Sequence, residues 1–180
     1  MVSSRFRARD NQEVAFREPQ SLDARALMRF INQIAVEPMS GITVNKRVTL
    51  KDERLWLKDI LTGIRRRTTV MLVVEVDGAI VGNCHVERRK DKRSHRAVLG
   101  IALVEKWRGK GIGEALTKKT IELARKRMPG LDTIELSFLD YNKRASMLYQ
   151  KLGFVEIGRI PRSVREGSEY FDEHLMLMRL

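Results

Sequence analysis

Arg108-Gly109-Lys110-Gly111-Ile112-Gly113 stands between an apolar run ending at Val104 and an amphipathic run beginning at Ile112, so it reads as a strand-to-helix turn. Glycines at alternate positions let a backbone turn tightly and approach a bound group. The unpaired N–H groups of the helix start face that group, and the helix dipole adds positive potential, which makes such a turn an anion site. Arg108 and Lys110 add charge, and a pyrophosphate is the natural ligand. Spacing separates the loops that use this device. A dinucleotide turn requires G-x-G-x-x-G within a βαβ unit, but Glu114 stands where its last glycine would fall. The G-x-x-x-x-G-K-[S/T] loop of nucleotide hydrolases is absent. What remains is R-x-x-G-x-G.

Working outward, the upstream segment predicts a meander in place of a βαβ unit. Residues 69–76 are apolar and β-branched, Asp77-Gly78 supplies a two-residue hairpin turn, and residues 79–87 and 96–104 run back and forth around a charged loop at 88–94. Downstream, residues 112–128 form a helix with Ile112, Leu116, Ile121, Ala124 and Met128 inward, ended by Pro129-Gly130. A strand over 131–139 and a helix over 142–152 follow, and strands 154–159 and 174–179 close the chain around a charged loop at 161–172. Before the meander come an edge strand at 14–19, stopped by Pro19, and a helix over 24–35 capped by Ser21 or Asp23. An irregular stretch at 38–45 leads to a helix from Leu50 or Lys51 to Arg65, with Leu55, Ile60, Leu61 and Ile64 as its apolar face. Residues 1–12 read as a loose basic arm, and residues 13–180 as one α+β domain of three layers (α/β/α). Its sheet is mixed and mostly antiparallel, with about seven strands.

Composition narrows the class. The 180 residues are 43% hydrophobic, too many and too regularly placed for a disordered chain. No apolar run approaches the ~20 residues of a membrane helix, and polar residues 1–12 do not form a secretory signal. Cys84 is the single cysteine, which excludes an internal disulfide and suits a reducing cytoplasm. It alternates with apolar neighbours and reads as a buried, inert thiol. His85, His95 and His174 lack ligand spacing, so no metal site is expected. The net charge of +12 fits an anionic ligand, but aromatics, 6% of the chain, do not interleave with the basic runs, and no motif indicates nucleic acid.

Ile101-Ala102-Leu103-Val104, the Arg108–Gly113 loop, and Asn142-Lys-Arg-Ala-Ser-Met-Leu-Tyr149-Gln-Lys-Leu-Gly153-Phe154 together resemble the GCN5-related N-acetyltransferase (GNAT) family, in the family's order and over residues 14–180. Arg93-Ser94-His95 and Glu169-Tyr170-Phe171-Asp172 resemble the branch acetylating amino acids and small amines. The resemblance implies an acetyl-CoA-dependent N-acetyltransferase with no metal, acting on a primary amine, either a free amino acid or small amine, by direct attack in a ternary complex. The alternatives it leaves are a protein N-terminal or lysine acetyltransferase of the ribosomal-protein type, or a non-catalytic acetyl-CoA-binding module. It further implies a splay between the fourth and fifth strands, 96–104 and 131–139. Backbone groups of Ile101, Ala102 and Leu103 would pair with the pantetheine arm, and Gly109, Lys110, Gly111, Ile112, Gly113 and Glu114, with Arg108, would cradle the pyrophosphate. Asn142 would bond the arm from the far side, Lys151 and Arg144 would meet the adenosine phosphates, and Tyr149 would protonate the departing thiolate. Relatives are often homodimers, and residues 174–180 are the candidate pairing edge.

The general base is where the pattern departs. Ribosomal-protein relatives place a glutamate five residues before the asparagine, and here that position is Ser137, which cannot take a proton from an ammonium. Glu87 and His95 are the replacement candidates, with His85 and Asn83 on the Glu87 strand face and a water chain as the remaining route. The acceptor is expected among the first helix, residues 37–45 and the loop 161–172, and the net charge favours acceptors that carry a carboxylate.

Overall fold

The computed structural model describes residues 3–37, 40–41 and 47–180. In chain order the elements are β1 (Ser3–Arg7), β2 (Glu13–Arg17), α1 (Ala24–Ile34), α2 (Leu50–Arg65), β3 (Thr69–Val76), β4 (Ala79–Arg88), β5 (Arg96–Leu103), α3 (Ile112–Arg127), β6 (Thr133–Leu139), α4 (Lys143–Lys151), β7 (Val155–Glu166) and β8 (Glu169–Arg179). They form one eight-stranded sheet of order β1-β2-β3-β4-β5-β6-β8-β7, in which only β5 and β6 run parallel. The β3–β4–β5 meander forms as its pattern predicts. Asp77 and Gly78 both sit at positive φ (48° and 76°), the conformation a two-residue hairpin turn requires.

Period-two alternation along β4 assigns the layers. Cys84 faces α3, where Thr117 and Thr120 reach its sulfur, while Asn83 and His85 face the side covered by α1 and α2. The helices therefore lie on both faces of the meander. Cys84 is fully buried, and burial pushes its thiol up to about 12, the behaviour of an inert core cysteine.

Three expectations are corrected. Residues 1–12 do not form a loose arm: Phe6 stacks on Phe16 with ring centroids 5.5 Å apart, so Ser3–Arg7 pairs outside β2 and adds an eighth strand. The first apolar strand thereby becomes interior. The stretch 161–172 is not a loop but the tip of the long β7–β8 hairpin, turned at Gly167 (φ 61°). A register shift between Ile160 and Val164 accommodates Pro161, which has no N–H to give the ladder. The chain then returns inside β7, so residues 174–179 lie between two strands and offer no pairing edge; the sheet edges are β1 and β7. Among the described residues no helix is long and apolar enough to cross a membrane.

The expected splay is present. β5 and β6 pair only at Arg96↔Thr133, Ala97↔Ile134 and Val98↔Glu135, and then diverge. From Leu99 to Leu103 one edge of β5 stays on β4, while the other has no strand beside it. Gly82 holds this wall together, because a Cβ there would stand 2.3 Å from Leu103 Cδ2 and 3.0 Å from the Ala102 carbonyl oxygen. Gly82→Ala is expected to cost about 1–3 kcal/mol of stability by overpacking, read from the midpoint of denaturant unfolding.

Candidate active site

The free edge of β5 opens onto a cavity of about 580 Å³ that also reaches the mouth of α3 and the first turns of α4. Ile101, Ala102, Leu103, Gly109, Gly111, Gly113, Asn142 and Tyr149 all line it. Gly109 and Gly111 adopt left-handed backbone (φ 78° and 82°), and a Cβ on Gly109 would meet nothing within 4 Å, so the turn faces open space. The first intrahelical bond runs from Ala115 N–H to the Gly111 carbonyl at 3.1 Å. The amides of Ile112, Gly113 and Glu114 therefore have no acceptor in the helix and point out of its mouth. Asn142 caps α4, its Oδ1 accepting the Ala145 N–H at 3.1 Å, which leaves its amide nitrogen as the donor it can offer to the cavity.

A second cavity of about 550 Å³ lies on the other side of β5, between the sheet and helices α1 and α2. Both cavities meet at Ile101, Ala102 and Tyr149. Tyr149 is 6% exposed, packed against Phe138 and Phe154 with ring centroids 5.9 Å away. Burial drives its phenol well above the usual tyrosine range, so it keeps its proton throughout neutral pH. In the second cavity stand two polar groups without partners. Glu53 is 6% exposed, its carboxylate forms no hydrogen bond or ion pair among the described residues, and burial raises the carboxyl to about 7. His85 carries a buried Nδ1 with no hydrogen-bond partner, and burial lowers its pKa, keeping the ring neutral. Its ring lies over Gly100 on the next strand, where a Cβ would come within 2.6 Å of Cε1.

Over residues 26–154 the sequence matches the model of the acetyltransferase (GNAT) family. The chain belongs to that family. It is 31% identical over 106 residues to the L-amino acid N-acetyltransferase AaaT of Escherichia coli, a stretch covering 58% of this chain and 65% of that protein. The aligned region spans less than two thirds of each curated relative it matches. The ribosomal-protein-alanine N-acetyltransferase of Brucella melitensis superposes with a TM-score of 0.79 at 26% identity, over 92% of this chain and 99% of that one. Salmonella typhimurium yncA, solved with acetyl-CoA, gives 0.80 at 20% identity, over 93% and 94%.

Within this GNAT chain the expected cofactor residues divide. Ile101, Ala102, Leu103, Gly109, Gly111, Gly113, Glu114, Asn142 and Lys151 come together around the first cavity, and Ile112 is buried beneath the turn with its amide at the helix mouth. Lys110 is drawn away: its ammonium is 2.7 Å from Asp10 and lies over the Trp107 ring at 4.6 Å. Arg108 lines the cavity, but its Nε donates to the Leu103 carbonyl at 2.8 Å and its Nη2 to Glu37. Lys151 bridges to Glu114 at 2.7 Å, tying α4 to α3, which holds the Glu114 carboxyl below its usual range. Arg9, which sequence reasoning left in a loose arm, lines the cavity with its Nε 3.5 Å from where a Gly111 Cβ would stand. The pairing of β1 and β2 brings it there, and its N–H donates to the Lys110 carbonyl of the turn at 3.1 Å.

Glu87 and His95 are not brought to the site. Both are exposed and line neither cavity; they sit where β5 begins, at the end of the sheet away from the splay, and the His95 carbonyl accepts from Asp132 and Thr133. Ser137 does line the second cavity, so the position matches the ribosomal-protein pattern while the residue cannot act as base. The residue missed is Glu53. Leu55, expected inward, is 55% exposed, and the stripe that packs is Glu53, Leu57 and Ile60, at i, i+4 and i+7. A glutamate on an inward helical stripe was the available signal. Of the expected acceptor segments, α1 lines the second cavity, Gly41 is the described part of 37–45 that does, and Val164 of 161–172 reaches only a side pocket near Asn142; most of 38–45 lies outside the described residues.

Because Glu53 is raised from about 4.5 to about 7 in the fold, the unfolded chain releases this proton first as pH rises. Its contribution to stability is therefore complete below pH 4.5 and lost as pH rises through 7, by up to about 3 kcal/mol. Glu53→Gln is expected to melt higher than the parent at pH 8 and equally at pH 4, by calorimetry across pH.

Proposed function

We propose that this chain is an N-acetyltransferase that moves an acetyl group from acetyl-CoA to a primary amine by direct attack in a ternary complex. The observation that carries the reading is the meeting of the two cavities at Ile101, Ala102 and Tyr149, beside a strand edge with unpaired backbone and a helix mouth with unpaired amides. The residues fit the donor. The β5 edge would pair with the amides of its pantetheine arm, Asn142 would bond the arm from α4, and Gly109–Glu114 with Arg9 and Arg144 would hold its phosphates. Acetyl-CoA supplies an activated acyl thioester. The relatives named above support the donor and the amine class: AaaT by its L-amino acid acceptors and yncA by its bound acetyl-CoA.

An amine with the ~10 pKa of a lysine side chain arrives as an ammonium and must lose a proton before it can attack. Glu53 is the carboxylate of the acceptor cavity not engaged in a helix cap, and a base with a pKa near the working pH transfers protons most effectively. Tyr149, kept protonated by burial, would deliver a proton to the departing sulfur. Leu27, Phe30 and Trp56 would give the acceptor an apolar wall. A protein N-terminus is the second reading, supported by the 26% identity to the Brucella enzyme; Ser137 argues against it. The buried thiol of Cys84 fits a reducing cytoplasm.

Tyr149→Phe is expected to lower kcat by about 10²–10⁴-fold while calorimetric affinity for coenzyme A stays within about threefold. Loss of rate together with loss of cofactor binding would instead mark the phenol as structural. With Glu53 as base, kcat/KM should fall tenfold per pH unit below about 7, because the protonated carboxyl cannot accept a second proton, and Glu53→Gln should remove that limb.

A further inference from the structure

Charge is divided between the two cavities. Four cations, Arg9, Arg108, Arg144 and Lys151, line the cofactor side against one anion, Glu114. The acceptor side has Asp52 and Glu53, and no arginine or lysine among the described residues that line it. Asp52 is engaged in capping α2, accepting from the Thr49 N–H at 3.1 Å and its Oγ1 at 2.6 Å. Among the described residues lining this cavity, Glu53 is left as the carboxylate without a partner, with the orphaned Nδ1 of His85 in the same cavity. An uncompensated buried carboxylate is costly unless a cation meets it. Apart from Asn83 and Ser137 the rest of the wall is mainly apolar, with Leu27, Ile31 and Leu99 beside the aromatic rings of Phe30 and Trp56.

We propose that the acceptor is a primary amine on an apolar arm that carries no carboxylate, its ammonium received by Glu53 and its arm by Phe30 and Trp56. The proposal rests on the acetyltransferase reading and narrows it. An α-amino acid would bring its own carboxylate within two bonds of the nitrogen, into a cavity that has a buried anion and no described cation to meet it. A diamine would need a second open carboxylate, and Asp52 is committed to its cap. The positive net charge of the chain therefore says nothing in favour of amino acid acceptors, because the excess lies elsewhere.

2-Phenylethylamine and L-phenylalanine differ only in the carboxylate and test the proposal directly. Each is titrated calorimetrically into the protein, free and with coenzyme A bound, and each is assayed as acetyl acceptor. The amine is expected to bind about 30-fold tighter or more than the amino acid, with the same order in kcat/KM. Glu53→Gln should bring the two affinities within about threefold. Val48→Lys, which adds a cation to the same wall where the backbone is pinned by Asn32, should raise affinity for L-phenylalanine at least tenfold. Equal or tighter binding of L-phenylalanine by the parent protein, or preference for 1,4-diaminobutane, overturns the proposal. So does failure of 2-phenylethylamine to bind while coenzyme A does, and the acetyltransferase reading then stands. If coenzyme A itself does not bind, that reading falls and this proposal with it.

Discussion

The parting of β5 from β6 after Val98↔Glu135 is the constraint on which the rest depends. A parallel pair in the middle of a sheet would ordinarily run its full length, because every unpaired backbone group in a buried strand costs about as much as a lost hydrogen bond. Here the ladder stops after three residue pairs, and the ends of α3 and α4 approach the gap. Gly113 lies against Leu103, Ile101 and Leu148, and Tyr149 of α4 packs on Phe138 of β6. The sheet thus gives up hydrogen bonds along one strand edge and gains a slot with a helix mouth at one end. Slot and mouth together fit a ligand that carries amides along its length and phosphates at its end.

Much of this was legible in the sequence because it is written in local signals. The alternate glycines need left-handed backbone at 109 and 111, Asp77-Gly78 needs a tight hairpin, and Asn142 needs a helix start, each within a few residues. The splay was legible only through family resemblance, since no local pattern encodes where two strands separate. What escaped was set by long-range pairing. Arg9 reaches the phosphate turn through a strand pairing whose partner lies ten residues away, and β8 is interior because the chain doubles back past Pro161. Glu53 escaped for a different reason. The apolar face of α2 was anchored on Leu55, which points to solvent, and a rotation of the stripe onto Leu57 and Ile60 turns a surface glutamate into a buried one.

The net charge of +12 is a global quantity, and a local site need not share its sign. Charges on exposed helix ends and loops are screened within about 10 Å at ordinary ionic strength. A buried pocket responds to the few groups that line it, where the effective dielectric is low. Among the described residues that line them, the two halves of the cleft thus differ in charge, cationic around the turn at Gly109–Gly113 and anionic between α1 and α2. On the acceptor proposed above, a phosphate-bearing donor and a cationic acceptor would each be attracted to one half and repelled by the other, which would orient both without a dedicated gate.

Several of the unsatisfied polar groups of the fold border the cleft. The open edge of β5, the amides at the mouth of α3, the Glu53 carboxylate and the His85 Nδ1 all border the same two cavities. Each lowers the stability of the empty protein, and each was a place where a rule of local consistency was broken: a strand without a partner, a glutamate on a core stripe, a histidine ring packed over a glycine. On the far face of the sheet the buried hydroxyls of Thr117 and Thr120 are matched, returning to the carbonyls of Gly113 and Leu116 at 2.7 and 2.8 Å. Those along the cleft stand where the ligands of the proposed reaction would meet them. The kind of partner can be read group by group: hydrogen-bonding amides for the strand edge, anions for the helix mouth, a cation for Glu53.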